Sequence, residues 1–163
     1  MNSMKIITFE PFFAEQIKDL LVQLQNHLIE LDKEDVLILR DNYRDDYYNF
    51  VMNNLKEKSG IMYLTVENQK VIGLVSGFVG QLDEEDQLVN TCSIRGYISE
   101  FVVDKKFRGH QVGTQLMETI EKWFKNNKCD FIRIDVLAQN EDALYFYEKK
   151  GYKSISIEVS KRI

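Results

Sequence analysis

Residues 107–114, Phe107-Arg108-Gly109-His110-Gln111-Val112-Gly113-Thr114, put an arginine and two glycines at the start of a helical pattern. A helix start leaves its first backbone N–H groups unpaired and carries a partial positive charge, so a phosphate placed there is favourable. Arg108 adds a full charge, and Gly109 and Gly113 remove side chains where a ligand would approach the backbone. A turn that merely introduces a helix would also use glycine. Gln111 stands at the centre, where a tight phosphate cradle would most naturally have glycine. A Walker A loop needs Lys-Ser/Thr after its last glycine, and here Thr114-Gln115 follows Gly113. A dinucleotide fingerprint needs three glycines early in a parallel strand–helix–strand unit. Neither pattern fits.

The elements that must position this stretch follow from hydrophobic periodicity. Residues 4–9 form a short strand. Phe13, Ile17, Leu20, Leu21, Leu24, Leu28 and Leu31 give an amphipathic helix over 12–32, and a second helix covers 45–58. IMYLTVE and VIGLVSGFV form a strand pair about Asn68-Gln69, and residues 81–90 form an acidic loop. A strand over 92–103 precedes the glycine turn, and the helix after it buries Val112, Leu116, Ile120, Trp123 and Phe124. Residues 131–137 give a strand, 140–150 a helix capped by Asn140 and stopped by Gly151, and 152–159 a last strand. The order is β-α-α-β-β-β-α-β-α-β, an α/β fold of the α+β kind with one mixed sheet. It predicts an antiparallel meander followed by one parallel crossover.

With 163 residues, 44% of them hydrophobic, the chain can bury the core of one globular domain over 1–163. No apolar run approaches the roughly 20 residues that span a bilayer. The start, Met1-Asn2-Ser3-Met4-Lys5, has no signal-peptide core, so a cytoplasmic location is expected. Cys92 and Cys129 share no metal or redox spacing, and no metal is expected. A net charge of −5 without a basic stripe argues against nucleic acid and suits small cationic substrates.

With its flanking strand and helix, FVVDKKFRGHQVGTQLMETI resembles motif A of the GNAT superfamily of N-acetyltransferases, whose pattern is Arg/Gln-x-x-Gly-x-Gly/Ala. Gln111 stands at the first glycine position and Gly113 at the second. NEDALYFYEKKGY (140–152) is similar to a second segment of that family, Asn-x-x-Ala-x-x-Phe/Leu-Tyr-x-x-x-Gly-Phe/Tyr. The resemblance implies a GNAT-like fold with splayed fourth and fifth strands and acetyl-CoA as co-substrate lying between them. It places the pantetheine and thioester on backbone groups of the strand Phe101, Val102 and Val103. The pyrophosphate then falls on Arg108, Gly109, His110, Gln111, Val112, Gly113 and Thr114, with Asn140, Ala143 and Tyr147 along the arm. Because such a turn works through backbone N–H groups, ordinary helical geometry is expected at Gln111.

Acetyl transfer needs a neutral amine, a stabilised oxyanion and a proton for the departing thiolate. Tyr147 stands at the family's general-acid position; the alternative is a helix tyrosine that simply packs on the sheet. Strand alternation sends Ser99 and Glu100 to opposite faces. Glu100, the nearest carboxylate, is either a base acting through water or a structural acid under a helix. Cys92 has no histidine partner in sequence, so direct attack in a ternary complex is expected. His27 is expected to be a helix histidine without chemistry. RDNYRDDYYNF (40–50) offers carboxylates and tyrosine faces, with Tyr43, Asp46, Tyr47 and Ser99 as acceptor-binding candidates. A small cationic amine is the expected acceptor. The alternatives are a protein or peptide amine, or a non-catalytic acyl-CoA sensor. Dimers are common in the family, so a homodimer is possible, although no residue argues for it.

Overall fold

An apolar residue at every third or fourth position along 13–31 makes one stripe, which needs a sheet to cover it. The computed structural model describes residues 4–91 and 94–163 and supplies that sheet. Its strands are β1 (Lys5–Thr8), β2 (Ile61–Glu67), β3 (Lys70–Gln81), β4 (Ile94–Val103) and β5 (Phe131–Ile134). The helices are α1 (Ala14–Leu31), α2 (Tyr43–Glu57), α3 (Glu84–Val89), α4 (Val112–Asn126) and α5 (Glu141–Lys149). Cys92 and Ser93, the first two residues of the expected strand 92–103, lie outside the described residues. Among the described residues, no helix is long and apolar enough to cross a membrane.

The sheet runs β1-β2-β3-β4-β5, antiparallel except for the parallel β4–β5 pair. The meander and the single crossover are therefore as expected. Asn68 and Gln69 join β2 to β3 with φ of 49° and 61°. Two left-handed residues in a two-residue loop match the right-handed twist of the flanking strands.

Two elements differ from the sequence reading. The acidic stretch contains a short helix, α3, because the Asp83 carboxylate accepts the N–H of Asp86 at 2.7 Å and three acids follow in the first turn. Residues 152–159 do not form the last strand. They carry no regular structure, and Ile155, Ile157 and Val159 are exposed. Alternation describes one strand, but a strand exists only with a partner ladder, and β5 offers four residues.

Two cores flank the sheet. On one face Phe13, just before α1, and Ile17, Leu20, Leu21, Val51 and Leu55 of α1 and α2 pack against Met62, Leu64, Leu74 and Val102. On the other, α4 packs Val112, Leu116, Met117, Ile120 and Phe124 on Ile72, Val75 and Ile98. Each such side chain contributes roughly 1.5–3 kcal/mol by leaving water. Phe124 can lie flat on the sheet only because Gly96 has no side chain: a Cβ there would sit 2.5 Å from the ring.

One irregularity shapes the site. Ser76 pairs with Glu100 and Gly77 with Ile98, so Ser99 is the extra residue of a β-bulge. The β4–β5 ladder also ends at Ile98 and Ile134, while β4 continues to Val103. The fourth and fifth strands thus part at the bulge.

Candidate active site

Beyond the bulge, one edge of β4 is left open by β5. The Asp104 N–H donates to Ile72 O at 2.9 Å, so alternation turns the backbone groups of Val102 toward β3 and those of Phe101 and Val103 toward the open edge. Arg108 Nε donates to Val103 O at 3.3 Å, consistent with that direction. Among the described residues no strand pairs with this edge beyond Ile98, and Val103 O is held by Arg108 alone, so the edge has backbone groups of the kind an extended amide chain can join.

The edge leads directly into the glycine turn. Asp104 accepts from the Lys106 N–H and from Lys70 Nζ, which fixes the start of the turn. Arg108 through Gln111 are exposed, and α4 begins at Val112. Gly109 has φ 80° and Gln111 has φ 62°, ψ 3°. The expectation of helical geometry at Gln111 is overturned: it is left-handed. The physical reason is direction. The chain must reverse to bring α4 back over the sheet, and a left-handed residue just before the right-handed first turn does this. A left-handed residue followed by a right-handed one is a backbone pattern that can gather successive N–H groups on one side, as anion-binding turns do. The Gln111 side chain makes no capping bond, and His110 Nδ1 lies 3.0 Å from Arg108 O. The turn, Thr114 at its helical end and Arg108 have the donors that a pyrophosphate requires.

Gly113 plays a different part from that of an open approach. A Cβ on it would lie 3.2 Å from Cζ of Phe101 and 3.7 Å from Cε2 of Phe146. It lets the start of α4 close against the open edge. Phe101 and Phe146, which line this region, stack at 5.6 Å.

α5 brings up the second motif. Asn140 Oδ1 accepts the Ala143 N–H at 3.2 Å, the expected N-cap. Gly151, with φ 88°, follows the helix. Tyr147 is 7% exposed and its ring tilts against Phe101 at 6.1 Å. Among the described residues its hydroxyl has no hydrogen-bond partner. Burial raises its proton affinity above that of an ordinary phenol, so it stays a donor at any physiological pH.

Glu100 lies on the other face of β4. The bulge overturns the expected alternation. Ile98 and Phe101 both face α4, whereas the Ser99 hydroxyl lies 3.0 Å from that of Ser76 on the face of α1 and α2. Ser99 and Glu100 therefore share one face, because the extra residue resets the pleat. Glu100 is 6% exposed and accepts from Tyr47 Oη at 2.8 Å. Burial pushes its carboxyl up to about 7, against a smaller opposing effect of the Tyr47 hydrogen bond.

Tyr47 also lines a cleft of about 380 Å³, together with Ile38, Arg40, Asn42, Tyr43, Asp46 and Phe50. Tyr43 and Tyr47 stack at 4.8 Å, and Tyr47 and Phe50 at 6.0 Å. The first three acceptor candidates thus meet in one concavity, whereas Ser99 pairs with Ser76. Not every acid of this segment is available to a ligand. Asp45 binds Lys18 at 2.7 Å, and Lys18 also sits over Tyr48, so both tie α2 to α1. A second cavity, about 320 Å³ between β1 and the end of α2, is lined by Thr8, Met52, Leu55 and Met62 and includes none of the candidate residues.

Sequence reasoning missed Ile38, Arg40, Asn42, Phe50, Phe146 and Ser76. Phe50 was accessible from helical spacing, since positions 43, 47 and 50 share a face. Ser76 had no local signal, because only strand pairing brings it to Ser99.

The match to the acetyltransferase (GNAT) family model covers residues 22–152. Glucosamine 6-phosphate N-acetyltransferase of Arabidopsis thaliana is 33% identical over 82 residues, 50% of this chain and 53% of that protein. N-alpha-acetyltransferase 30 of Dictyostelium discoideum is 30% identical over 134 residues, 82% of this chain and 64% of that protein. The chain thus spans less than two thirds of the length of either relative. In fold it is similar to a mutant BH1408 protein from Bacillus halodurans, with a TM-score of 0.83, 20% identity and coverage of 98% and 99% of the two chains. The matched span contains both sequence motifs, the open strand edge and the turn that continues it: the chain belongs to the GNAT family of acetyltransferases.

Proposed function

We propose that this protein transfers an acetyl group from acetyl-CoA to a primary amine of a small cationic acceptor, by direct attack in a ternary complex. The observation that carries this is Glu100 on β4, a buried carboxyl near neutrality that accepts a hydrogen bond from Tyr47, whose ring lines an aromatic cleft.

Acetyl-CoA, when bound, supplies the acyl group as a thioester. The residues that would hold it are the edge groups of Phe101 and Val103, the turn from Arg108 to Thr114, and Asn140, Ala143 and Tyr147 on α5. An ammonium has no lone pair, so the acceptor must lose a proton before it attacks. Glu100, with its pKa at about 7, is ionised enough to take that proton near neutral pH and basic enough to hold it. An edge N–H at Phe101 or Val103 can stabilise the oxyanion, since the strand holds it in place in advance. Tyr147 keeps its proton and donates it, or a hydrogen bond, to the departing sulfur. The cleft supports a cationic acceptor through the faces of Tyr43 and Tyr47 and the carboxylate of Asp46.

A protein or peptide amine is the second reading. It is favoured by the N-alpha-acetyltransferase relative and by the exposure of Ile38 and Phe50 at the cleft rim. The deciding experiment is thiol release from acetyl-CoA across polyamines, amino sugars and N-terminal peptides. Small amines are expected to outpace peptides. Faster turnover of peptides would select the second reading. Binding of acetyl-CoA with no thiol release against any amine would leave a sensor.

A further inference from the structure

We infer that Tyr47 is a positioning residue for Glu100: its hydroxyl fixes one carboxylate oxygen, leaves the other free to take the acceptor's proton, and ties that base to the wall of the acceptor cleft. This rests on the assignment of Glu100 as the base.

The geometry is specific. Tyr47 Oη donates to Glu100 Oε1 at 2.8 Å, across 53 residues of sequence. Among the described residues the other carboxylate oxygen has no hydrogen-bond partner. The Tyr47 ring is held between Tyr43 at 4.8 Å and Phe50 at 6.0 Å, so its hydroxyl has little freedom to leave. The same three rings line the cleft, so an acceptor lying there touches the group that orients the base.

The proton balance is simple. The acceptor N–H bond breaks, its electron pair stays on nitrogen as the attacking lone pair, and the proton goes to the free oxygen of Glu100, directly or through one water. The groups facing Glu100 from the surrounding elements are Tyr43 and Tyr47 of α2 and the hydroxyls of Ser76 and Ser99 on the strands. α1 turns Ile17, Leu20 and Leu21 inward on this face. Burial raises the proton affinity of Glu100, and among the described residues the Tyr47 hydroxyl is the side-chain group whose hydrogen bond opposes that effect. A hydrogen bond to the charged form favours ionisation, and its removal raises the carboxyl's proton affinity.

The test is Tyr47→Phe, which keeps the ring stack and removes the donor. NMR titration of glutamate-labelled protein reads Glu100 without turnover, its resonance assigned by its loss in Glu100→Gln. The midpoint is expected to move upward, and the acidic limb of kcat/KM to move with it. For a shift of one pH unit, activity falls about tenfold below both midpoints and recovers toward wild type at alkaline pH. A purely structural role would lower activity equally at every pH, and that result, or an unmoved midpoint, overturns the proposal. If Tyr47→Phe fails to fold, a ring-fluorinated tyrosine at position 47 serves instead. Its stronger donor is expected to move the midpoint down, and no movement overturns the proposal. A moved midpoint with an unmoved kinetic limb supports the coupling and overturns Glu100 as base.

Discussion

Gly113 and Phe101 are packed so closely that a Cβ on the glycine would lie 3.2 Å from Cζ of the ring. The contact joins the first turn of α4 to the open edge of β4, the two parts assigned to one ligand. Gly113→Ala needs a few tenths of an ångström of movement and gains helix propensity of up to about 1 kcal/mol, so its stability should stay within about 1 kcal/mol of wild type. Gly113→Val adds bulk toward Phe101, Val103 and Phe146. It should lose about 1–3 kcal/mol and weaken CoA binding. Thermal unfolding and calorimetric CoA titration read the two effects separately.

At Gln111 the left-handed backbone makes the opposite forecast. An L-residue at φ 62° carries about 1–2 kcal/mol of strain that glycine lacks. Glycine returns part of this through a more flexible unfolded chain, about 0.4–1 kcal/mol. Gln111→Gly should therefore stabilise the fold by about 0.5–1 kcal/mol, seen as a raised Tm. CoA affinity should rise by less than about tenfold, or 1.4 kcal/mol, because glycine can keep the same left-handed backbone and the same N–H groups. A larger gain would mean that the Gln111 side chain itself obstructs the turn.

Glu100 links activity to stability. Its folded pKa of about 7 lies above the ordinary carboxylate value of 4.5. Between those values the folded protein holds a proton that the unfolded chain has released. Its contribution is thus fully present below about pH 4.5 and lost as pH rises through 7. Glu100→Gln removes the charge while its amide oxygen can still accept from Tyr47. Relative to wild type it should be more stable at pH 8 by on the order of 2 kcal/mol, with the advantage vanishing at low pH. Acetyl transfer should fall by about 10²-fold or more at pH 7. Denaturant melts from pH 4 to pH 8 check the first outcome, and thiol release the second.

Tyr147→Phe isolates the proposed acid. The ring is packed against Phe101 and Tyr152, so its removal would damage the fold, whereas loss of the hydroxyl alone leaves these contacts. CoA affinity should change by less than threefold, about 0.6 kcal/mol. The kcat on the best amine should fall by about 10²-fold. Full turnover by the Phe variant across the pH range would assign Tyr147 to packing alone.

The sequence by itself determined the helices and strands with strong periodicity, the Asn140 cap and the Gly151 stop, because each depends on spacing within one or two turns of chain. It also determined the family, through two motifs made of contiguous residues. Tertiary structure decided three other matters. Pairing with β3 placed the bulge at Ser99 and so moved Ser99 and Glu100 to one face, where strict alternation separates them. The return of α4 over the sheet made Gln111 left-handed, a demand that no neighbour in sequence states. The lack of a partner ladder left residues 152–159 without strand structure despite their alternation. In each case the deciding interaction joins atoms far apart in sequence. Local propensity carries no information about such partners, and the proton affinity of Glu100 is set by them alone.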